Sequence, residues 1–336
     1  MNQRQTLVTA TLLSTLVLAS CGGGSNSSSE IPSDPTDSER VTAASTTATT
    51  HPDCDTGKLG SFYWEIGDAN GPRAGSSVGS GAPGATTQFS IASASKWLYS
   101  SYVVQKVGVR PSDVPYLNFT SGYSMFFLPL CQVSDTVGSC LDGNDGLNQN
   151  TIGKFFYDSG HMQQHAVAAM GLGALGNDAL TTELNSTLGD FGLFYTQPQL
   201  AGGLVGSASS YASFLRKILR GELAMGAALG TNKVCTNPST CGTAVATPID
   251  AESWNYSLGH WVEDDPVVGD HAFSSAGALG FYPWIDRTKT LYGILSRRSD
   301  GVESNAGYNS ARCGRLIRQA WVTGVAVTSG APTPAP

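Results

Sequence analysis

The sequence predicts an α+β domain in which one antiparallel sheet is built from both ends of the chain and flanked by helices, with a helical region inserted at about 112–250. Three observations carry this. A strand-like run, 62–66, is followed by the turn signal Asp68-Ala69-Asn70-Gly71 near the start of the domain. Three more strand-like runs, 257–262, 280–285 and 290–296, lie near its end. Between them the clearest periodicity is helical, with Tyr211, Phe214, Leu215, Ile218 and Leu219 spaced to share one stripe.

The chain has 336 residues, enough for one large or two ordinary domains with a sizeable core. Charged residues make up 13%, against about 25% in an ordinary globular chain, and the formal net charge is −7. A surface so poor in cations gives a phosphate backbone nothing to bind, so nucleic acid is excluded as a partner. No internal repeat is visible.

Taken in order, the first element is a leader. Arg4 precedes an apolar run at 7–18, and the segment closes Leu18-Ala19-Ser20-Cys21. That is the layout of a secretory signal peptide over 1–20, with an apolar core too short to cross a bilayer. Leu-Ala-Ser-Cys resembles the lipobox of bacterial lipoproteins, which implies that Cys21 becomes an acylated, palmitate-bearing N-terminus. The protein would then be an exported lipoprotein on the periplasmic or cell-surface face of a membrane. Residues 21–53 are rich in Gly, Ser and Thr with few large apolar residues, and are expected to be a flexible tether. The domain proper is 54–328, and 329–336 is expected to be a disordered tail.

Export makes the other six cysteines legible as an even set in an oxidising compartment. Six allow fifteen pairings. Two pairs are close in sequence and bracket turn-rich loops, which favours Cys131–Cys140 and Cys235–Cys241 and leaves Cys54–Cys313 by elimination. The last would close almost the whole domain. No cysteine spacing resembles a zinc site.

After the 62–66 hairpin, Ser93 opens a helix of small and apolar residues that runs to about Val107, where Gly108 and Pro111 stop it. It has little polar face and should be buried. A final helix carries Cys313, Leu316, Ile317, Ala320 and Trp321 on one face, with Arg312, Arg315 and Arg318 beside it.

Three patterns compete for the chemistry. Gly75-Ser76-Ser77-Val78-Gly79 matches a nucleophile elbow but lacks the preceding apolar strand and following helix, so it reads as a loop. His161 and His165 are spaced as in a zinc helix, yet no third ligand is signalled, and no metal is expected. Ser93-Ala94-Ser95-Lys96 is the strongest. Residues three apart share a helix face, so the Lys96 amine can reach the Ser93 hydroxyl. A desolvated amine is easily deprotonated and can activate that hydroxyl, while the helix start offers a free Ser93 N–H to an oxyanion.

With this company the chain resembles the serine β-lactamase and penicillin-binding-protein superfamily, in the branch of class C β-lactamases, DD-peptidases and family VIII esterases. Asn118-Phe119-Thr120-Ser121-Gly122 is similar to its His-Thr-Ser-Gly loop, with Phe119 in place of His. Gly153-Lys154-Phe155-Phe156-Tyr157-Asp158-Ser159 resembles its tyrosine segment. The 200–208 stretch, Leu-Ala-Gly-Gly-Leu-Val-Gly-Ser-Ala, resembles its Gly-Gly-Leu helix start, and 256–262 and 274–281 resemble its paired C-terminal strands. The order is colinear over about 58–322 and implies the β-lactamase/transpeptidase-like fold.

The resemblance implies Ser93 as nucleophile, Lys96 as the group that eases its deprotonation, and Tyr157 as phenolic base or relay. Ser93 and Gly277 would supply the oxyanion N–H groups, and Ser159, Ser274 and Ser275 would contact substrate; no cofactor is needed. Two departures matter. Ser159 stands where the family has Asn, and Ser274-Ser275-Ala276 stands where relatives carry a cation, with His271 the single candidate to replace it. A carboxylate-bearing substrate would lose a charge-assisted contact, so the expectation is a monomeric serine hydrolase of the carboxylesterase kind acting on a small acyl ester or amide. The alternatives are a catalytically degenerate binding protein on the same fold and a DD-peptidase or β-lactamase-like amide hydrolase.

Overall fold

The 62–66 run folds as strand β1 (Phe62–Asp68), which turns through Asp68–Gly71 into β2 (Pro72–Val78). These and all elements below come from a computed structural model that describes residues 34–126, 131–142, 145–299, 303 and 305–333. The signal peptide and Cys21 lie outside the described residues. In chain order the further strands are β3 (Phe89–Ser90), β4 (Phe155–Phe156), β5 (Phe194–Tyr195), β6 (Leu204–Gly206), β7 (Val234–Cys235), β8 (Ala244–Ala246), β9 (Asn255–Ser257), β10 (His260–Val262), β11 (Phe273–Ser274), β12 (Tyr282–Ile285) and β13 (Leu291–Ser296). The helices are α1 (Asp37–Thr50), α2 (Thr56–Leu59), α3 (Ser95–Val107), α4 (Val114–Leu117), α5 (Val137–Leu141), α6 (Gly160–Ala168), α7 (Asn177–Leu188), α8 (Ala208–Leu219), α9 (Met225–Ala228) and α10 (Ala306–Thr323).

The main sheet runs β2-β1-β13-β12-β11-β10-β9-β7, every neighbour antiparallel. The expected joining of the two ends of the chain is therefore the β1–β13 ladder, with Trp64 opposite Leu295. Phe62, Trp64 and Ile66 alternate onto one buried face of β1. Helix α10 packs on the sheet face that carries Tyr282 and Trp284, where Arg318 lies over the Trp284 ring at 4.5 Å. Helix α8 covers the opposite face, where Arg216 reaches the Tyr292 hydroxyl at 3.2 Å. Helices α7 and α9 of the inserted region pack on α3, which is buried almost throughout, as its composition demands.

Three expectations need correction. Residues expected to continue the tether to 53 instead form α1. Its Thr36–Glu39 capping box is complete, with Glu39 N–H donating to Thr36 Oγ1 at 3.3 Å and Thr36 N–H to Glu39 Oε2 at 2.7 Å. Ala43, Ala44, Thr47 and Ala48 are buried, and Arg40 donates to the Trp321 carbonyl at 2.9 Å, tying α1 to α10. Small residues that make a poor core alone make a flat face that a long helix can cover. Secondly, the 257–262 run is a hairpin rather than one strand: β9 and β10 pair across Leu258 (φ 41°) and Gly259 (φ 80°), a two-residue turn of the kind that requires positive φ at both positions. Thirdly, part of the expected tail is held, with the Gly330 carbonyl 3.0 Å from His51 Nε2 and Thr333 hydrogen-bonded to Gln319 at 2.8 and 3.1 Å.

The disulfides Cys54–Cys313, Cys131–Cys140 and Cys235–Cys241 are all present. The first spans 259 residues and clamps the segment before β1 to α10. Replacing both of its cysteines by Ser should lower the unfolding free energy by about 4–5 kcal/mol in denaturant titrations. A loss under about 1 kcal/mol would mean that α1–α10 packing already restricts that loop in the unfolded chain.

Candidate active site

Ser93 sits in a single 3-10 turn, Ala92–Ala94, that leads directly into α3. Ala92 holds φ at 46°, a left-handed conformation that costs a residue with a Cβ about 1 kcal/mol or more and turns the chain sharply into the helix. Two strands fix this corner: β3 pairs with β6, Ile91 N–H donates to the Leu204 carbonyl at 3.0 Å, and Leu204 N–H donates to Ser95 Oγ at 3.2 Å. The 200–208 stretch thus braces the start of α3.

One turn along the same face, Lys96 is 2% exposed. Its Nζ donates to Ser93 Oγ at 2.9 Å and to the Ala201 carbonyl at 2.8 Å. Burial pulls its pKa down to about 7, opposed by the Asp158 carboxylate, whose charge favours the ammonium. The amine also lies 4.9 Å from the Tyr157 ring centroid and 6.0 Å from that of Phe119.

Tyr157 follows β4, whose parallel pairing with β8 anchors it through Tyr157 N–H to the Ala246 carbonyl at 3.0 Å. Its ring stacks on Trp261 at 5.3 Å and 16° and meets Phe119 edge-on at 5.3 Å. It lines one cavity with Ser93, and burial pushes its pKa well above that of a free phenol, an effect that the Ser93 side chain opposes. Ser93, Lys96 and Tyr157 are therefore brought together.

The other sequence candidates fare differently. Ser159 precedes α6 and does not line the cavity at Ser93. Its neighbour Asp158 carries the charge that Lys96 senses; Asp158 Oδ1 accepts from Gly160 N–H at 2.7 Å and Phe126 N–H at 3.3 Å, and burial raises its pKa. Ser274 is buried outside the cavity, and its hydroxyl has no hydrogen-bond partner among the described residues. Ser275 is buried and donates to the Ser93 carbonyl at 3.2 Å, a brace on the backbone. His271 is exposed and lies outside the cavity.

Gly277 is a correction. Its N–H, expected at the oxyanion, donates to the Phe281 carbonyl at 2.8 Å. Ser275 N–H likewise points to β12, donating to the Pro283 carbonyl at 3.2 Å, so alternation turns the Ala276 N–H the other way. Ala276 and Ala278 line the cavity, and their amides are the candidates for the second donor. Gly277 serves by close approach instead, since a Cβ there would fall 2.3 Å from the Ile91 carbonyl oxygen.

Neither histidine is placed as a metal ligand. His161 Nε2 lies 3.0 Å from the Phe156 carbonyl and Nδ1 2.7 Å from Ser121 Oγ, so the ring donates to the first and accepts from the second. Burial takes its pKa down to about 4, and it stacks on Phe119 at 5.3 Å. His165 is enclosed by Tyr99 and Asp113. Among the described residues no acid, His or Cys cluster could hold a metal ion.

The cavity at Ser93 has a volume of about 130 Å³. Tyr157, Trp261, Pro248, Ile249, Ala276 and Ala278 line it together with the start of α10, Asn305 to Tyr308. Among the described residues no charged side chain lines it. Tyr308 carried no motif that sequence reasoning could weigh, whereas Trp261, Asp158 and Ala201 lie inside segments that resemble the family but were given no role there.

The sequence matches no protein-family model and no curated protein. Solved structures do match in fold. A D-amino acid amidase from Ochrobactrum anthropi SV3 superposes with a TM-score of 0.57 at 13% identity, covering 78% of this chain and 96% of that one. A hydrolase with promiscuous acyltransferase activity gives 0.54 at 14% identity, covering 83% and 98%. A β-lactamase from Mycobacterium bovis gives 0.53 at 12% identity, covering 79% and 96%. The chain has the serine β-lactamase/transpeptidase-like fold that its motifs imply.

The Lys96 environment sets a pH dependence. Below about pH 7 the amine is protonated and cannot take the Ser93 proton, so labelling of Ser93 by a fluorophosphonate should rise about tenfold per pH unit and level off above it. Asp158→Asn removes the charge that favours the ammonium, so the rising limb should move to lower pH. A limb that stays in place would show that Asp158 is electrostatically remote from Lys96.

Proposed function

We propose that this protein is an exported, lipid-anchored serine hydrolase that works through an acyl-enzyme and prefers small, uncharged acyl esters. The observation that carries this reading is the contact between a fully buried lysine amine and Ser93 Oγ at 2.9 Å, with the amine held near neutrality. About half of Lys96 would then be unprotonated at pH 7 and able to accept the Ser93 proton as Oγ bonds to the substrate carbonyl carbon. The oxyanion would be met by the Ser93 N–H and an amide of the Ala276–Ala278 stretch.

Collapse of the tetrahedral species breaks the bond to the leaving oxygen, which needs a proton. Tyr157 fits a relay better than a base, because its raised pKa keeps it a neutral phenol that can donate to the leaving oxygen and be refilled by the proton that the neighbouring Lys96 amine took from Ser93. Water then attacks the acyl-enzyme with the same groups reversing roles. The missing cation in the third motif and the uncharged cavity both favour an ester over an anionic β-lactam or a D-Ala-terminated peptide, whose carboxylate would be desolvated without a partner. Membrane attachment through acylated Cys21 rests on Leu18-Ala19-Ser20-Cys21 alone.

A fluorophosphonate should label Ser93, and Ser93→Ala should lose labelling together with at least about a thousandfold of kcat on short acyl esters. The unmodified protein should show kcat/KM for phenyl butyrate well above that for a chromogenic cephalosporin. An unlabelled Ser93 would favour the binding-protein alternative, and equal turnover of cephalosporins would remove the ester preference. Separately, Cys21→Ser should move the protein from the detergent phase to the aqueous phase on phase partitioning.

A further inference from the structure

One residue that lines the cavity beside Ser93, Tyr308, is tied through Glu252 into a buried charge network. We infer that this cavity receives the alcohol portion of the ester, that it selects a neutral and compact alcohol, and that Tyr308 is the residue that sets its size limit. This rests on the hydrolase reading above and adds a specificity residue to it.

Tyr157 places the alcohol. As the donor to the leaving oxygen it must lie within hydrogen-bond reach of that atom, so the group attached to the oxygen occupies the space that Tyr157 borders. That space is the cavity shared by Ser93, Tyr157, Trp261 and Ile249, which Tyr308 also lines. Trp261 is 1% exposed and stacked on Tyr157, so its face is fixed.

Tyr308 is fixed from behind. Its hydroxyl donates to Glu252 Oε1 at 2.8 Å, while Glu252 Oε2 accepts from Trp254 Nε1 at 2.6 Å and pairs with Arg315 Nη1 at 2.9 Å. Arg315 is 1% exposed and lies 3.3 Å from Glu263 Oε2, which Arg318 also engages at 2.9 Å. Moving the Tyr308 ring out of the cavity would take a hydrogen bond from Glu252, which is itself 7% exposed and tied to this buried network. The wall cannot yield to a larger ligand as a free surface side chain would. Its charge also argues against an anionic alcohol, because Glu252 stands behind it and no cation is among the described residues that line the cavity.

The test separates the two halves of the ester. At a fixed butyryl group, the protein should prefer the phenyl over the 2-naphthyl ester by about tenfold or more in kcat/KM, and phenyl over 4-carboxyphenyl by a similar factor. Tyr308→Ala should abolish the first preference, mainly through KM, while the ranking of acetyl, butyryl and hexanoyl phenyl esters stays within about twofold, because the acyl group lies outside the alcohol site that Tyr308 bounds. Tyr308→Leu, a milder cut, should give the same shift in lesser degree if the Ala variant folds poorly. A second measurement needs no turnover: binding of phenol and 2-naphthol, read by quenching of tryptophan fluorescence, should favour phenol in the unmodified protein and lose that preference in Tyr308→Ala. A change in acyl ranking, or an unchanged naphthyl-to-phenyl ratio in both measurements, overturns the inference. Failure of Ser93 labelling strikes the hydrolase reading instead and leaves the phenol-binding comparison to decide the wall.

Discussion

The constraint on which the rest of the structure depends is the burial of the Lys96 amine beside Ser93. An ammonium taken out of water costs several kcal/mol unless it is paired, and here the partners are neutral: a carbonyl, a hydroxyl and two aromatic faces. The protein meets the cost largely by letting the amine lose its proton near pH 7, which is also the state in which it can serve as a base. To hold such a group, α3 must be enclosed on every side, and the architecture follows from that. The Leu258-Gly259 turn packs onto it so closely that a Cβ at Gly259 would lie 2.8 Å from the Lys96 carbonyl. Gly277 lets the segment after β11 approach Ile91 at the start of the same helix.

Although the chain is poor in charge, five charged side chains are buried together in one place. Arg315, Arg318, Glu252, Glu263 and Asp270 form a buried network along α10, with Tyr282 donating to Glu263 at 2.6 Å. Removing one member would strand its partner in a low-dielectric interior, so the network acts as a register lock for α10 against the sheet. Its far end is Tyr308, in the wall of the cavity. Helix α10 therefore carries information in both directions: its C-terminal half is clamped by Cys54–Cys313, α1 and the arginines, and its first turn presents a fixed surface to the site.

Much of this was legible in the sequence. The strands at both ends were visible because their apolar runs are bounded by turn residues, and the three cysteine pairs because short spacings left one long-range pair. Ser93 and Lys96 were visible because helical spacing alone puts them together. What was hidden has physical reasons. Helix α1 was missed because its alanines and threonines signal disorder by composition and become a face once α10 is opposite them. The β9–β10 hairpin was missed because Leu258 accepts a left-handed conformation that no local signal announces. The direction of the Gly277 amide depends on strand parity, and a motif alignment fixes residue order without fixing which edge each N–H faces.

The departure at Ser159 takes a different meaning in the structure. A neutral Asn in this segment would offer donors to Lys96 or to substrate, whereas this chain places a serine there and a carboxylate one residue earlier. Asp158 lies close enough to act on Lys96 by charge, yet its Oδ1 is committed to the Gly160 and Phe126 amides, so it is held as an electrostatic neighbour rather than a second base. Without it, burial alone would drive the Lys96 pKa lower still, making the amine a weaker base for the Ser93 proton. With it, the amine stays near the point where both directions of proton transfer are accessible. Loss of the family's Asn is then offset at the level of charge, not of hydrogen bonding, and that offset is compatible with an uncharged substrate that asks little of the second motif for its own binding.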